Sequence, residues 1–211
     1  MSYVLYGEYG SGAACVEAAL AEAGAPYERY VVSLEKNEQR SAAYRAINPS
    51  GKVPALKLPS GEVVTETSAL LILLAERHPE AKLLPLPSAP GRAQALRWLA
   101  FLAAEVYPIV EFVDYPERLA DGEEGMAAIK LRAQERMRER MLAAERAVAA
   151  PWFLPCGFSA LDIYVAMFSR WREFRLDGWR EAHVPKICAI TEGVSRRSAI
   201  TPIWQKHFPN G

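Results

Sequence analysis

Residues 48–56 read NPSGKVPAL, and ten residues further on, residues 66–70 read ETSAL. A proline near the start of an internal strand is awkward, because it removes one hydrogen bond from the ladder between strands. A trans Pro54 would be tolerated on an edge strand. A cis bond between Val53 and Pro54 would instead turn the Val53 backbone outward, towards a ligand. The stretch therefore predicts a strand that begins at a proline, with both isomers open.

Two other short stretches carry polar groups at the ends of predicted strands. Residues 65–68, TETS, either only cap a helix or grip a zwitterion, with Glu66 on an ammonium group and Thr67 on a carboxylate. Residues 7–12, GEYGSG, join the first predicted strand to the first predicted helix. There Ser11 either only caps the helix or lies beside N–H groups whose dipoles favour a negative charge. Taken singly, none of these stretches is specific.

Outward from these stretches, the first part of the chain alternates β-rich and helical runs, and its breaks carry Gly or Pro. The predicted elements follow the order βαβαββα: a strand at 3–6, a helix at 13–23, a strand at 27–34, a helix at 37–47, a hairpin over 53–64 and a helix at 69–77. Four prolines between residues 79 and 91 then predict an extended connector.

After this connector the pattern indicates only helices. They are a helix at 92–111 with a bend near Pro108, a helix with an apolar stripe between 126 and 148, and a buried helix at 163–171 that follows a capping box at 159–162. The predicted fold class is therefore α/β followed by all-α.

Composition narrows the class of protein. The chain has 211 residues, and its 25 Lys and Arg balance 25 Asp and Glu, so no basic excess favours a nucleic-acid partner. Its longest apolar run, residues 69–75, is far shorter than the roughly 20 residues that cross a bilayer, and no secretory signal is visible. Three widely spaced cysteines without a CxxC pair fit a reducing cytoplasm. Three scattered histidines predict no metal site.

The order of these elements, with NPSGKVPAL in the middle and ETSAL ten residues later, resembles the glutathione transferase family. The resemblance covers the whole chain. It implies a thioredoxin-like, glutathione-binding domain at 1–79, a Pro-rich linker at 80–91, and an all-helical domain at 92–211 that contributes an electrophile pocket. Residues 5–12 are similar to those of bacterial members that carry a serine in this turn.

The resemblance also implies how glutathione, as co-substrate, would be activated. Ser11 would donate a hydrogen bond to the glutathione sulfur, and Tyr6 is a rival donor because some branches of the family use a tyrosine there. Lowering a thiol pKa from about 8.5 to about 6.5 takes about 2.7 kcal/mol of preferential stabilisation of the thiolate. One hydroxyl donor and a helix N-terminus are of that size. Cys15 is expected to be a small buried hydrophobic residue.

Four further positions are assigned to glutathione binding by the same resemblance. The Val53 backbone, before a cis Pro54, would pair with the cysteinyl part of the tripeptide. Glu66 and Thr67 would hold the γ-glutamyl end, and Lys52 would reach the glycyl carboxylate.

The electrophile is expected between the two parts of the chain, among the helices of 92–116 and the C-terminal tail. Candidate pocket residues are the aromatics Tyr9, Tyr107, Phe112, Tyr115 and Trp204, although aromatics at helical spacing are often plain core. The implied activity is attack of the glutathione thiolate on a small hydrophobic electrophile, by conjugation, peroxide reduction, isomerisation or dehalogenation. A homodimer and a detoxification role are implied as well.

Two other classes of protein stay open at this point. The Gly10-Ser11-Gly12 turn and Glu35 are compatible with a dinucleotide-binding fold, although Cys15 replaces the third glycine of that motif. A non-catalytic ligand-binding or assembly scaffold of the same fold is the second alternative, because fold does not fix function.

Overall fold

The computed structural model describes residues 2–175 and 178–209, and its first part is built on a four-stranded sheet. The strands are β1 (Tyr3–Gly7), β2 (Tyr27–Val31), β3 (Ala55–Lys57) and β4 (Val63–Thr65), in the spatial order β2-β1-β3-β4. Strand β1 runs parallel to β2, and β3 is antiparallel to both β1 and β4. This mixed sheet is not the parallel, doubly wound sheet of a dinucleotide-binding fold, so that alternative is wrong.

Three helices accompany the sheet: α1 (Ala13–Glu22), α2 (Ala42–Arg45) and α3 (Thr67–Arg77). Residues 13–20 of α1 are all buried, since this helix lies against β1 and α3 on one side and against the helical part of the chain on the other. The helix predicted at 37–47 is shorter in the structure. A 3₁₀ turn precedes α2, and Ser41 ends that turn and caps α2 by accepting a hydrogen bond from the Tyr44 N–H at 3.2 Å.

From residue 92 onward the described chain is mostly helical. The helices are α4 (Arg92–Phe101), α5 (Ile109–Asp114), α6 (Gly122–Ala147), α7 (Ala160–Arg170), α8 (Arg172–Arg175), α9 (Trp179–His183), α10 (Pro185–Ser195) and α11 (Thr201–His207). A π-helical turn, Leu102–Val106, joins α4 to α5 where the sequence predicted a bend. The predicted fold class, a thioredoxin-like α/β unit followed by an all-helical part, is confirmed.

Helix α7 is the centre of the helical part. It packs against α10, α1 and α4, and residues 160–169 are all buried, as the apolar character of this stretch predicted. Among the described residues, no helix combines the length and the apolar character that a membrane span requires. We call residues 2–79 the sheet part and the described residues from 92 onward the helical part. Residues 1, 176–177 and 210–211, which the predicted ranges include, lie outside the described residues.

Candidate functional site

A cleft of about 900 Å³ lies where the sheet part meets the helical part. Most of the predicted site residues line it: Tyr9, Ser11, Lys52, Val53, Pro54, Glu66, Thr67, Tyr107 and Tyr115. Those from the sheet part lie after β1, before β3 and after β4. Since β3 pairs with both β1 and β4, the sheet brings these three distant stretches of sequence together at one edge.

Two of the predicted pocket residues do not line the cleft. Phe112 follows Glu111 on α5, and a helix turns by about 100° per residue, so Phe112 leaves the cleft face and is 38% exposed to solvent. Trp204 is buried and packs against Phe208, with ring centroids 5.2 Å apart. Neither residue lines this cleft, and Trp204 instead belongs to the core where α11 packs against α1, so their contact with an electrophile stays a prediction.

The turn after β1 places Ser11 just before α1. The Ser11 hydroxyl donates to the Glu8 carbonyl oxygen at 2.7 Å and accepts a hydrogen bond from the Ala13 N–H at 3.3 Å. Gly12 is the N-cap of α1 and offers no side-chain cap, and the first turn of α1 contains no acidic residue. The N-terminus of α1 thus faces the cleft with its positive dipole end uncompensated by a protein carboxylate.

The same turn is fixed from the helical part through the Gly10 peptide groups. The Gly10 N–H donates to the Nδ1 atom of His207 at 3.0 Å, and the Gly10 carbonyl accepts from the Trp171 indole N–H at 2.8 Å. Because Nδ1 accepts a hydrogen bond, the His207 ring carries its proton on Nε2. Two elements far along the sequence therefore hold the backbone one residue before Ser11.

His207 is in turn bound by buried charged groups. Its Nε2 atom lies 2.8 Å from the carboxylate of Glu17, which also bonds Arg29 and the Tyr27 hydroxyl. Burial lowers the pKa of His207 below its ordinary value. Burial alone would raise the pKa of Glu17, but the hydrogen bond from His207 and the charge of Arg29 bring it below the ordinary value. The ring is therefore held neutral beside an ionised carboxylate.

The Val53–Pro54 bond is cis, the second of the two isomers that the sequence left open. The loop before it is braced at the carbonyl of Lys52, which accepts hydrogen bonds from the Tyr44 hydroxyl at 2.9 Å and from the Asn48 amide at 2.7 Å. Asn48 is itself buried. This bracing fixes the backbone that leads into Val53 and presents it to the cleft.

At the next corner, Glu66 and Thr67 begin α3. Glu66 is the N-cap and has φ 68° and ψ 110°, a conformation that side chains with a Cβ rarely adopt. Its side chain is exposed to the cleft, while Thr67 is buried. An exposed carboxylate beside the N–H groups of a helix start is suited to the ammonium and carboxylate ends of an amino acid.

A bridge of charges closes one end of the cleft. The Lys52 ammonium lies 3.4 Å from the carboxylate of Glu111 on α5, and Arg118 bonds the same carboxylate at 2.9 Å. Arg118 first and then Lys52 keep the pKa of Glu111 below its ordinary value. The Lys52 side chain is 71% exposed, so a ligand carboxylate is able to compete for it.

Two other candidate groups do not line the cleft. Tyr6 does not line the cleft; its ring packs beside Tyr30 and Tyr44, with centroids 5.7 and 6.5 Å away. Cys15 is fully buried, burial raises the pKa of its thiol, and the sulfur lies 3.4 Å from the Met167 sulfur. The prediction of a buried hydrophobic role for Cys15 is confirmed.

Sequence reasoning missed three residues that shape the site. His207 and Asn48 act through hydrogen bonds to the backbone, and nothing in the sequence around them signals those bonds. Gln39 also lines the cleft. It is buried, and its side-chain oxygen has no hydrogen-bond partner among the described residues. A buried amide oxygen without a donor is unfavourable, so Gln39 is suited to accept a hydrogen bond from a ligand.

Comparison with known proteins identifies the arrangement. The N-terminal domain of glutathione S-transferases matches residues 13–77. A "GST-like" protein of Escherichia coli, described as uncharacterized, is 37% identical over 117 residues, which are 55% of this chain and 56% of that protein. The maleylacetoacetate isomerase of Pseudomonas aeruginosa is 36% identical over 99 residues, 44% of this chain and 45% of that protein. The chain thus spans about half the length of the curated relatives that it matches.

A solved structure matches nearly the whole chain. It is a glutathione transferase homologue from Sulfitobacter with bound glutathione, at a TM-score of 0.88 and 28% identity, covering 98% of this chain and 99% of that one. A thioredoxin-like sheet part, an all-helical part and a cleft at their junction define the class of this protein. The chain is thus similar to glutathione S-transferases, to their N-terminal domain over residues 13–77 and to a solved homologue over nearly its whole length.

Proposed function

We propose that this protein is a glutathione transferase that binds glutathione in the cleft and uses its thiolate to attack a small hydrophobic electrophile. The observation that carries the proposal is that Ser11, Val53 beside the cis proline, Glu66 and Thr67 all line one cleft at the start of α1. In this reading Glu66 and Thr67 hold the γ-glutamyl end, and Val53 pairs with the cysteinyl backbone. Lys52 and Gln39 contact the glycyl end.

The sulfur would then lie beside Ser11 and the N-terminus of α1. To reach a thiolate, the Ser11 hydroxyl has to exchange its bond to the Glu8 carbonyl for one to an anion. A bond to a charged group is worth about 1.5–3 kcal/mol and a neutral one about 0.5–1.5, so the exchange gains about 1–1.5 kcal/mol. The helix terminus adds about 0.3–1 kcal/mol. Together they supply about 1.3–2.5 kcal/mol, between half and nearly all of the roughly 2.7 kcal/mol that a thiol pKa near 6.5 requires.

The Ser11→Ala variant tests this activation. We expect the pKa of bound glutathione, followed by ultraviolet absorption of the thiolate, to rise by about one, because about 1–1.5 kcal/mol of stabilisation is lost. The rate of conjugation to an aryl halide should fall about tenfold at pH values below the wild-type thiol pKa, and less near neutral pH. At those lower pH values glutathione affinity should change little. Thiolate absorption that is undiminished in Ser11→Ala would rule out Ser11 as the activating donor.

Turnover separates an enzyme from a binding scaffold. Retention on immobilised glutathione, followed by assays with an aryl halide and with a peroxide, covers two of the expected reactions, and an isomerase relative makes a cis-trans isomerisation assay the third. Binding without turnover in all three assays would favour the non-catalytic scaffold. The division of the chain at 79/80 and 91/92, a cytoplasmic location, a detoxification role and a homodimer belong to the same proposal. A monomer in light scattering at micromolar concentration would contradict the last of these.

A further inference from the structure

We propose that the phenolic hydroxyl of Tyr107, supplied by the helical part, is a second hydrogen-bond donor to the glutathione sulfur. This inference rests on the proposed function and adds to it a group from the other part of the molecule. The sequence placed Tyr107 only among the candidate contacts to the electrophile.

The first support is the position of the hydroxyl. A Cβ atom placed on Gly12 would lie 2.5 Å from the Tyr107 Oη, 2.8 Å from the Thr67 Oγ1 and 3.2 Å from the Cδ of Pro54. The Tyr107 hydroxyl therefore occupies the point where the start of α1, the cis proline and the start of α3 meet. Glutathione is proposed to bind against these same three elements, with its sulfur beside Ser11.

The second support is the protonation state of that hydroxyl. Its oxygen lies beside Gly12, at the start of α1, and a phenol has its own proton to donate. Burial raises the pKa of Tyr107, so the phenol keeps its proton and acts as a donor, not as a base.

The third support is how firmly the ring is held. Phe168 and Trp171 meet the Tyr107 ring edge-on, at centroid distances of 5.7 and 5.4 Å, and Tyr164 lies at 6.4 Å. The Tyr107 N–H closes the π-helical turn by bonding to the Leu102 carbonyl at 2.9 Å. That turn contains one residue more than a regular α-helical turn. Tyr107 therefore faces the cleft, and not the direction that a regular helix would give it. The hydroxyl is thus positioned before any ligand arrives.

The Tyr107→Phe variant removes the hydroxyl and keeps the ring packing. We expect the pKa of bound glutathione to rise by about one and kcat/KM to fall about tenfold at pH values below that pKa. Above it the rate should match the wild type, because the thiol then ionises without help. Glutathione affinity should be unchanged at pH values below the wild-type thiol pKa, where the bound tripeptide is a thiol, and should weaken only at higher pH. The double variant with Ser11→Ala should have a higher thiol pKa than either single variant.

The matched control is Tyr3→Phe, which removes a buried hydroxyl that bonds to His78 at 3.0 Å and lies outside the cleft. It should leave the thiol pKa unchanged. Incorporation of 3-fluorotyrosine at position 107 gives a stronger donor and should lower the thiol pKa below that of the wild type. This second measurement does not depend on how well Tyr107→Phe folds.

Three outcomes would overturn the inference. If Ser11→Ala raises the thiol pKa and Tyr107→Phe does not, Ser11 acts alone and only the role of Tyr107 is refuted. If Tyr107→Phe lowers the rate equally at all pH values with the thiol pKa unchanged, its hydroxyl serves the electrophile instead. If wild-type protein binds glutathione without forming thiolate, both this inference and the proposed activation fail.

Discussion

Helices α1 and α7 both begin beside a serine, but only the N-terminus of α7 has an acidic side chain bonded to it. At α7 the Asp162 carboxylate accepts hydrogen bonds from the Ser159 N–H at 2.8 Å, the Ser159 hydroxyl at 3.0 Å and the Phe153 N–H at 2.7 Å, and it is fully buried. At α1 the Ser11 hydroxyl turns back to Glu8, and no acidic residue lies in the first turn.

This difference indicates that the N-terminus of α7 stabilises the fold, whereas the N-terminus of α1 is suited to bind a ligand. A helix N-terminus that its own side chains close contributes stability and binds nothing, because its N–H groups are already satisfied. The N-terminus of α1 also has a serine bond, from the Ala13 N–H to the Ser11 hydroxyl, but it carries no acidic side chain and lies at the cleft, so its dipole is available to an anion. Changes at α7 should therefore alter only folding, and changes around α1 should alter thiol activation or glutathione binding.

The largest effect on the free energy of unfolding is expected at the N-terminus of α7. Asp162→Ala leaves two buried N–H groups without acceptors, and each unsatisfied group costs about 1–3 kcal/mol, so we expect the free energy of unfolding to fall by about 2–6 kcal/mol. Denaturant unfolding measures this change. Glutathione affinity and thiol pKa of the folded fraction should equal those of the wild type. A variant with wild-type stability, or with an altered thiol pKa, would break the distinction between the two helix ends.

The two ends also differ in how far sequence predicts them. The capping box at 159–162 was readable because all of its partners lie within four residues, and the buried helix after it follows from an unbroken apolar run. The order of strands and helices was readable for the same reason, since strand, turn and cap signals are local. The binding roles of the stretches at 48–56 and 65–68 came instead from the resemblance to a known family, because neither stretch is specific by itself.

The residues that complete the α1 end come from far along the chain. His207 accepts a hydrogen bond from the N–H of Gly10, which lies nearly 200 residues earlier in the sequence. Tyr107 comes close to Gly12 because of a π-helical turn that no local sequence pattern indicates. An aromatic residue on an amphipathic helix gives the same sequence pattern whether it faces the core, the solvent or the cleft. The sequence therefore did not show that Trp204 and Phe112 lie outside the cleft. Such placements depend on the packing of whole helices, which single-sequence periodicity does not specify.

A smaller effect on stability is expected at His207. This residue both stabilises the fold and holds the turn that carries Ser11. His207→Phe keeps a buried ring of similar size but removes the acceptor of the Gly10 N–H and the partner of Glu17. We expect a loss of about 2–3 kcal/mol in unfolding free energy. Unlike Asp162→Ala, this variant should also raise the thiol pKa, because the turn that carries Ser11 is released.

The pH dependence of unfolding provides the control for His207. Its pKa in the folded protein lies below the ordinary 6.5, so the unfolded chain binds more protons and stability falls as pH falls through 6.5, by at most about 1.4 kcal/mol per pH unit. Burial raises the pKa of Asp162 to about 6 from the ordinary 3.8, and that group acts in the opposite direction between those values. His207→Phe removes the first contribution and leaves that of Asp162, and it also raises the pKa of Glu17, because the hydrogen bond from His207 is lost. An identical slope in wild type and variant between pH 7 and 5 would refute the neutral, buried imidazole.

The smallest effect is a gain of stability at the binding corner. Glu66 holds φ 68°, which glycine adopts without a Cβ penalty, so Glu66→Gly should stabilise the fold by about 1 kcal/mol and raise the melting temperature. It should also weaken glutathione binding by about tenfold, since the carboxylate proposed to hold the ammonium group is lost.

Lys82→Gly is the matched control: Lys82 has φ 50° and does not line the cleft, so its variant should gain similar stability with unchanged affinity. If both variants gain stability and only Glu66→Gly loses affinity, the strain at Glu66 serves ligand binding, as the open helix end at α1 does. Equal affinities in the two variants would place Glu66 with the structural residues of α7 instead.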